Sequence, residues 1–443
     1  MIISLLTAAV GVLLSALFSV LPGLHIYNVA GLALLALAAP ENVVPPQSLA
    51  MLFVGMVTGY AVLNTIPTVF LSAPDESTLF MLRPGQKFLL QGRGYEAALL
   101  SGVGGLSGIA VLLLLTPFAS SILTPFRAVL HPHLHWILWA LIAYLLLSEW
   151  PKGSQRAPAG WRRCWDGWRN LVAGLLAFVL SGVLGLILLY RTPVPADAAS
   201  QNLLPAFVGL FAVPSILHNL VSRVELPEQR GIPDLGVTPA LVLQGALSGA
   251  AGGLFAAFFP VVTAGIGGLL AAHATAQRDD RVFLVSQGAS KVLYYVGALL
   301  LFFVPGLHLT RGGMAWILAP VWDPVEVLGP DVSPFYYRAA AAALVSGVLA
   351  FFLLLGMARL AARFVTRVDY RWINLGTLIL LLLFVVGWTG WGGLLICAAA
   401  VGIGLIPVLW GARRSNCMGV LLLPLAINMV GLGSPVVRWL GLA

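Results

Sequence analysis

VFLVSQGASKVLYYVGALLLFF, residues 282–303, decides the fold class. A run of that length forms a helix of roughly 33 Å, enough to cross the ~30 Å hydrocarbon core of a bilayer. Comparable runs recur along the whole 443-residue chain, which is 60% apolar and 9% charged, against about 25% charged residues in soluble domains. Composition therefore excludes a soluble enzyme. The runs are continuous rather than alternating, which excludes a β-barrel. The expected class is an all-α polytopic membrane protein with multi-pass placement in the cell (plasma) membrane.

Working outward, hydropathy places spans near 2–21, 24–39, 48–71, 96–117, 134–150, 169–190, 202–221, 237–260, 261–275, 282–305, 337–361, 372–388, 389–411 and 417–433, about 12–14 membrane segments. Two pairs have no charged linker: 2–39 is interrupted only at Pro22-Gly23 and 237–275 only at Pro260. Each is expected to be a helical hairpin or a pair of broken helices. The opening run lacks a basic leader and reads as a retained helix. Cys164, Cys397 and Cys417 show neither zinc-ligand nor disulfide spacing.

The net charge of +8 reads as topology rather than as a nucleic-acid surface, because Lys and Arg accumulate at cytoplasmic span ends. Strict alternation puts 18 basic residues inside and only Arg127, Arg191, Arg311, Arg338 and Arg438 outside, with Lys291 in the membrane. On this parse the first hairpin opens outside and the second inside. Residues 1–150 and 202–361 are then expected to be inverted transmembrane repeats, with 151–201 as connecting loop and helix and 362–443 as C-terminal helices. Inverted repeats with broken helices are common in secondary transporters.

A charge in a span costs about 2.5–3.5 kcal/mol on insertion scales, so Lys291, beside Ser286, Gln287 and Ser290, is a candidate anion partner; a snorkelling or structurally paired ammonium is the alternative. The segment from Asn64 to Gly105 is rich in chemistry. Pro67, Pro74 and Pro84 interrupt helix near Asn64, Thr65, Thr68, Ser72, Ser77 and Thr78, and the freed backbone can hold an ion or carboxylate. The competing expectation is a cytoplasmic loop with a capped helix at Asp75-Glu76. Gly102, Gly104, Gly105 and Gly108, like Gly245, Gly249, Gly252 and Gly253, read as small-residue packing faces. His25, His218 and His273 read as isolated structural groups. Arg359, Arg363, Arg367 and Arg371, spaced by four, read as one basic stripe on a helix end facing lipid headgroups. Paired intramembrane aspartates, a Ser/His couple and Asp-rich magnesium sites are missing from the sequence, so no catalytic residue and no enzyme activity are expected.

Leu21-Pro22-Gly23-Leu24, IPTVFLSAPDESTLFMLRPGQKFLLQGRGYEAALLSGVGG after the third span, and GLIPVLWGARRSNCMGVLLLPLAI near the end resemble the large permease subunit of the tripartite tricarboxylate transporter family, in a divergent branch of archaeal character. The resemblance covers nearly the full length. It departs at His25-Ile26-Tyr27-Asn28 and Asp75-Glu76-Ser77, where bacterial members usually carry glycines and small residues. It implies a small organic anion as substrate, an extracellular binding protein and a small membrane subunit.

The expected function is a secondary transporter of a small carboxylate coupled to Na⁺ or H⁺, with no other cofactor and no nucleic-acid partner. A lipid-phosphate flippase and a structural or channel component remain alternatives, and a homodimer is one open assembly. The expected binding set is Gly23, Asn28, Asn64, Thr65, Thr68, Ser72, Thr263, Ser286, Ser290 and Lys291; no metal ligand is assigned. These groups are expected to converge because broken helices present N-terminal ends to an anion and C-terminal carbonyls to a cation.

Overall fold

The computed structural model describes residues 2–21, 24–37, 44–151, 160–194, 202–222, 225–231, 236–322 and 333–442. In chain order the principal helices are α1 (Ile2–Phe18), α2 (Ile26–Leu37), α3 (Pro46–Leu63), α4 (Thr65–Phe70), α5 (Leu82–Leu90), α6 (Gly94–Leu115), α7 (Ala119–Leu130), α8 (Leu134–Leu147), α9 (Trp161–Tyr190), α10 (Leu203–Phe207) and α11 (Val213–Ser222). They continue with α12 (Pro239–Phe258), α13 (Ala264–Ala274), α14 (Asp280–Phe303), α15 (Gly312–Leu318), α16 (Ser333–Arg367), α17 (Tyr370–Trp410), α18 (Gly419–Met429) and α19 (Gly433–Trp439). Every regular element among the described residues is helical.

Eight helical stretches among the described residues are long and apolar enough to cross a membrane, which makes this a multi-pass membrane protein. The number is below 12–14 for three physical reasons. Gly94–Leu147 and Tyr370–Trp410 each run through two expected spans, the hairpin helices Ile2–Phe18, Ile26–Leu37 and Ala264–Ala274 are short, and the expected span 417–433 falls in a helix pair bent by 118°. The join within α17 is Gly390, at φ 62 and ψ −161, a backbone region that residues bearing a Cβ avoid. The hairpin expected at 237–275 is present as α12 and α13. Thr238 caps α12 by accepting the Leu241 N–H, with Pro239 in the first turn where no donor is needed. Pro22 and Gly23 of the first hairpin lie outside the described residues.

Two compact units divide the chain, and each takes one stretch from either half. The first comprises Met1–Ala128 and Val224–Asn374, the second Val129–Arg223 and Leu375–Ala443. In the first unit α1 packs along α3 and α12 along α14, while α16 packs on α3 and α6 on α14. Glycines allow these approaches. A Cβ at Gly55 would stand 1.8 Å from Ala8 O, and one at Gly11 2.2 Å from Leu52 O. α14 lies between two such faces: a Cβ at Gly104 of α6 would meet Val285 O at 2.0 Å, and one at Gly249 of α12 would meet Ser286 O at 2.0 Å. The helix with the most buried polar side chains is thus held backbone to backbone on two sides. Gly104→Ala is expected to lower stability by about 1–3 kcal/mol, the usual cost of overpacking, at the upper end because the obstacle is a carbonyl; thermal unfolding in detergent measures it, and an unchanged midpoint would contradict this packing.

In the second unit α9 and α18 meet through Gly185 and Gly419, whose Cβ positions fall 2.0 Å from Val420 O and 2.2 Å from Phe178 O. The buried Glu149 carboxylate accepts the Arg413 N–H at 2.6 Å and Asn416 Nδ2 at 3.3 Å. α10 passes into α11 through a π-helical turn, Val208–Ala212. The arginine stripe is a correction: Arg359, Arg363 and Arg367 lie on α16, but Arg371 opens α17, whose start is capped by Asp369 accepting the Arg371 N–H at 2.9 Å. A capping aspartate ends one helix and starts the next, so the spacing of four does not place all four on a single face.

Candidate functional site

All of the site's residues belong to the first unit. Pro67 falls in the first turn of α4 and Pro84 in that of α5, where a missing N–H costs nothing. The non-helical stretch is therefore confined to 71–78, before the 3₁₀ turn Leu79–Met81. Asp75 closes this loop. Its Oδ1 accepts the N–H groups of Ser77 and Thr78 at 2.9 and 2.8 Å and their hydroxyls at 2.7 and 2.8 Å. Its Oδ2 accepts the Tyr60 hydroxyl at 2.7 Å and Asn64 Nδ2 at 2.9 Å. These donors occupy the lone pairs a carboxylate offers, so Asp75 is the acceptor that shapes the loop. The plainer expectation placed a capped helix at Asp75-Glu76; the structure has a turn there instead, and it sits against the C-terminal end of α3 and the middle of α14.

Lys291 is fully buried, 0% exposed, and donates to Asn64 Oδ1 at 2.7 Å and Thr65 Oγ1 at 2.6 Å. Asn64 bridges the two charges. Its amide orientation follows from its neighbours, because an ammonium only donates and a carboxylate only accepts. Thr65 Oγ1 also pairs with Ser101 Oγ at 3.1 Å, and Thr68 donates to Thr78 Oγ1 at 2.8 Å. Lys291 is thus paired inside the protein through Asn64.

Glu76 is where the two hairpin tips meet. His25, just before α2, places Nε2 3.1 Å from Glu76 Oε1; Thr263, the residue before α13, donates its hydroxyl to Glu76 O at 3.1 Å. The Tyr27 N–H donates to His25 Nδ1 at 3.2 Å, so in a neutral ring the proton is on Nε2 and is directed at the carboxylate. Tyr295 also donates to Glu76 Oε1, at 3.3 Å. Glu76 Oε2 has no hydrogen-bond partner among the described residues, although its side chain is only 10% exposed. Rings of Tyr27, Tyr60 and Tyr295 surround the histidine, with centroids 4.3, 4.8 and 5.9 Å from it. Two carboxylates and one ammonium meet in this cluster, and a protonated His25 would add a second positive charge beside Glu76.

His25, Asp75 and Glu76 bring one ligand atom each within 4.8 Å of one another. Asp75 is already filled by donors, so the trio offers a metal ion two ligands rather than three. Of the sequence-based candidates, the structure brings Asn64, Thr65, Thr68, Thr263, Ser290 and Lys291 to this cluster or its supports; Ser290 donates to Ala264 O at 2.8 Å and ties α14 to the start of α13. Asn28 lies half-buried in the first turn of α2, its N–H on His25 O at 2.9 Å. Ser286 is buried with no partner for Oγ, as is the whole amide of Gln287, among the described residues. Ser72, at φ 55, instead pairs with Tyr370 and Gln86. Gly23 lies outside the described residues.

His25 is a correction: it is not isolated, since its partners are 51 and 270 residues away. Sequence reasoning also passed over Tyr27, Tyr60, Asp75, Glu76 and Tyr295. A partial signal existed, because Tyr60 and Asn64 on α3, and Lys291 and Tyr295 on α14, are each four apart and share a helix face.

Helical hairpins around a buried polar cluster, in a chain with many apolar helices, are a layout common among secondary transporters. The model of the tripartite tricarboxylate transporter TctA family matches residues 5–419, and the chain belongs to that family. It is similar to the uncharacterized protein MJ1079 of Methanocaldococcus jannaschii, with 24% identity over 432 residues, covering 95% of this chain and 98% of that protein. No solved structure matches the chain.

Proposed function

We propose that this protein is a secondary transporter of a small carboxylate, coupled to Na⁺ or H⁺, in the cell membrane, and that it works with an extracellular binding protein and a small membrane subunit. The observation that supports this most is the meeting of both hairpin tips at Glu76, which sets the starts of α2 and α13 against one buried cluster. Helix starts carry partial positive charge and suit a carboxylate. The packing of α1 on α3 with α16, and of α12 on α14 with α6, supports an inverted-repeat origin for the arrangement. Alternating access would then proceed by one repeat moving against the other around the cluster.

The test is counterflow in proteoliposomes with a panel of di- and tricarboxylates. Exchange of a labelled carboxylate is expected, together with a ligand-dependent rise in the unfolding temperature, since a ligand that binds only the folded state stabilises it by mass action. Movement of a labelled polyprenyl phosphate between leaflets, without carboxylate exchange, would favour a flippase instead.

A further inference from the structure

We propose that Glu76 is the proton carrier of the transport cycle, and that an anionic substrate enters the site only while Glu76 is protonated. The inference rests on the carboxylate-transport reading above and assigns its coupling ion.

Three observations carry it. Asp75 accepts six hydrogen bonds, so a proton added to it would displace a donor and disturb the loop, while Lys291 directs its hydrogen bonds to Asn64 and Thr65 and not to Glu76. Glu76 differs, because Oε2 is unpartnered among the described residues in a side chain that is nine-tenths buried. A proton can be added there without removing a hydrogen bond. Glu76 is also the residue both hairpins hold, one through its carboxylate and the other through its carbonyl. A change of charge at this point acts on both tips.

The groups that face Glu76 set the sign. The first hairpin contributes His25 and Tyr27, and α3 contributes Tyr60. Asp75 precedes it in the loop, and α14 adds Lys291, Tyr294 and Tyr295. An ionised Glu76 places a negative charge in the cluster that opposes an arriving carboxylate. One proton from water on the loading side converts COO⁻ to COOH and removes that negative charge. The starts of α2 and α13 then favour an anion unopposed by Glu76. Release of the proton on the other side restores COO⁻ and expels the anion. A hard cation such as Na⁺ needs converging oxygen acceptors, whereas Glu76 Oε1 is met by the donors His25 Nε2 and Tyr295 OH.

The test uses the full chain with citrate as probe, over a pH range where citrate is fully ionised. Wild-type affinity is expected to fall with rising pH, by up to about tenfold per pH unit, the limit for one linked proton. An inward proton gradient without Na⁺ should drive citrate accumulation. In Glu76→Gln the pH slope should vanish and accumulation against a gradient should be lost, whereas His25→Gln should keep the slope. The proposal is overturned by wild-type affinity that ignores pH but follows Na⁺, by a slope that survives in Glu76→Gln, or by a slope abolished in His25→Gln alone. If Glu76→Gln does not fold, the wild-type pH and Na⁺ dependences decide by themselves. Failure of the wild type to bind any carboxylate would overturn the transport reading and this inference with it, a result distinct from binding that is independent of pH.

Discussion

Asp75→Asn is expected to cost about 1–3 kcal/mol of stability, the range for leaving a desolvated hydrogen-bonding group unsatisfied. The substitution keeps the shape of the side chain but changes two things. It removes the negative charge that offsets Lys291 through Asn64. It also requires an NH₂ group either toward Tyr60 and Asn64 or toward Ser77 and Thr78, which are all donors to Asp75. The hydroxyls can turn, but the Ser77 and Thr78 N–H groups cannot, and Asn64 Nδ2 is held by Lys291 on its other side. A buried donor facing a donor carries the full cost of desolvation. The measurement is thermal unfolding in detergent beside the wild type. A midpoint within experimental error of wild type would show that the loop does not depend on this carboxylate.

Lys291→Met is expected to produce a loss of similar size alone, because it strands Asn64 Oδ1, removes one partner of Thr65 Oγ1 and takes away the positive charge linked to Asp75 through Asn64. The double variant Lys291→Met, Asp75→Asn should be more stable than the sum of the singles predicts. Without the ammonium, Asn64 is free to reverse its amide and turn Oδ1 toward the new NH₂ at position 75, and neither of the two linked charges is left without the other. An interaction energy toward the upper end of about 0.5–3 kcal/mol is expected from the double-mutant cycle. Strict additivity would mean that the two charges are not coupled through Asn64. Separately, citrate binding that survives in Lys291→Met would assign Lys291 to holding the cluster together rather than to holding the anion.

How far the site was legible in the sequence varies with the residue. Lys291 stood out because a charge inside an apolar run is costly wherever it lands, and Asn64, Thr65 and Thr68 stood out as polar groups near prolines. What they do was not legible. Lys291 was expected to face an anion, but its ammonium is taken up by Asn64, at the junction of α3 and α4, and by Thr65 of α4, 227 and 226 residues away. His25 looked isolated for the same reason, since its partners come from a loop and a helix far along the chain. Ser72 belonged to the right cluster by position and the wrong one by geometry, because its left-handed backbone goes with a hydroxyl paired to Tyr370 and Gln86.

Composition and run length alone determined that the protein is helical and crosses the membrane many times, because a bilayer demands long apolar segments whose backbones satisfy themselves. Sequence also determined the hairpin break near Pro260, since a proline cannot continue a helix, and the glycine faces, since their spacing sets a stripe on one side. Tertiary structure decided the rest. It alone folded residues 71–78 back against α3 and α14, and it brought His25 and Thr263 to Glu76 from two separate hairpins. The physical reason is that a buried carboxylate must find its donors wherever packing puts them. For Asp75 those were its own loop and α3, for Glu76 a histidine 51 residues before it and a tyrosine 219 residues after it.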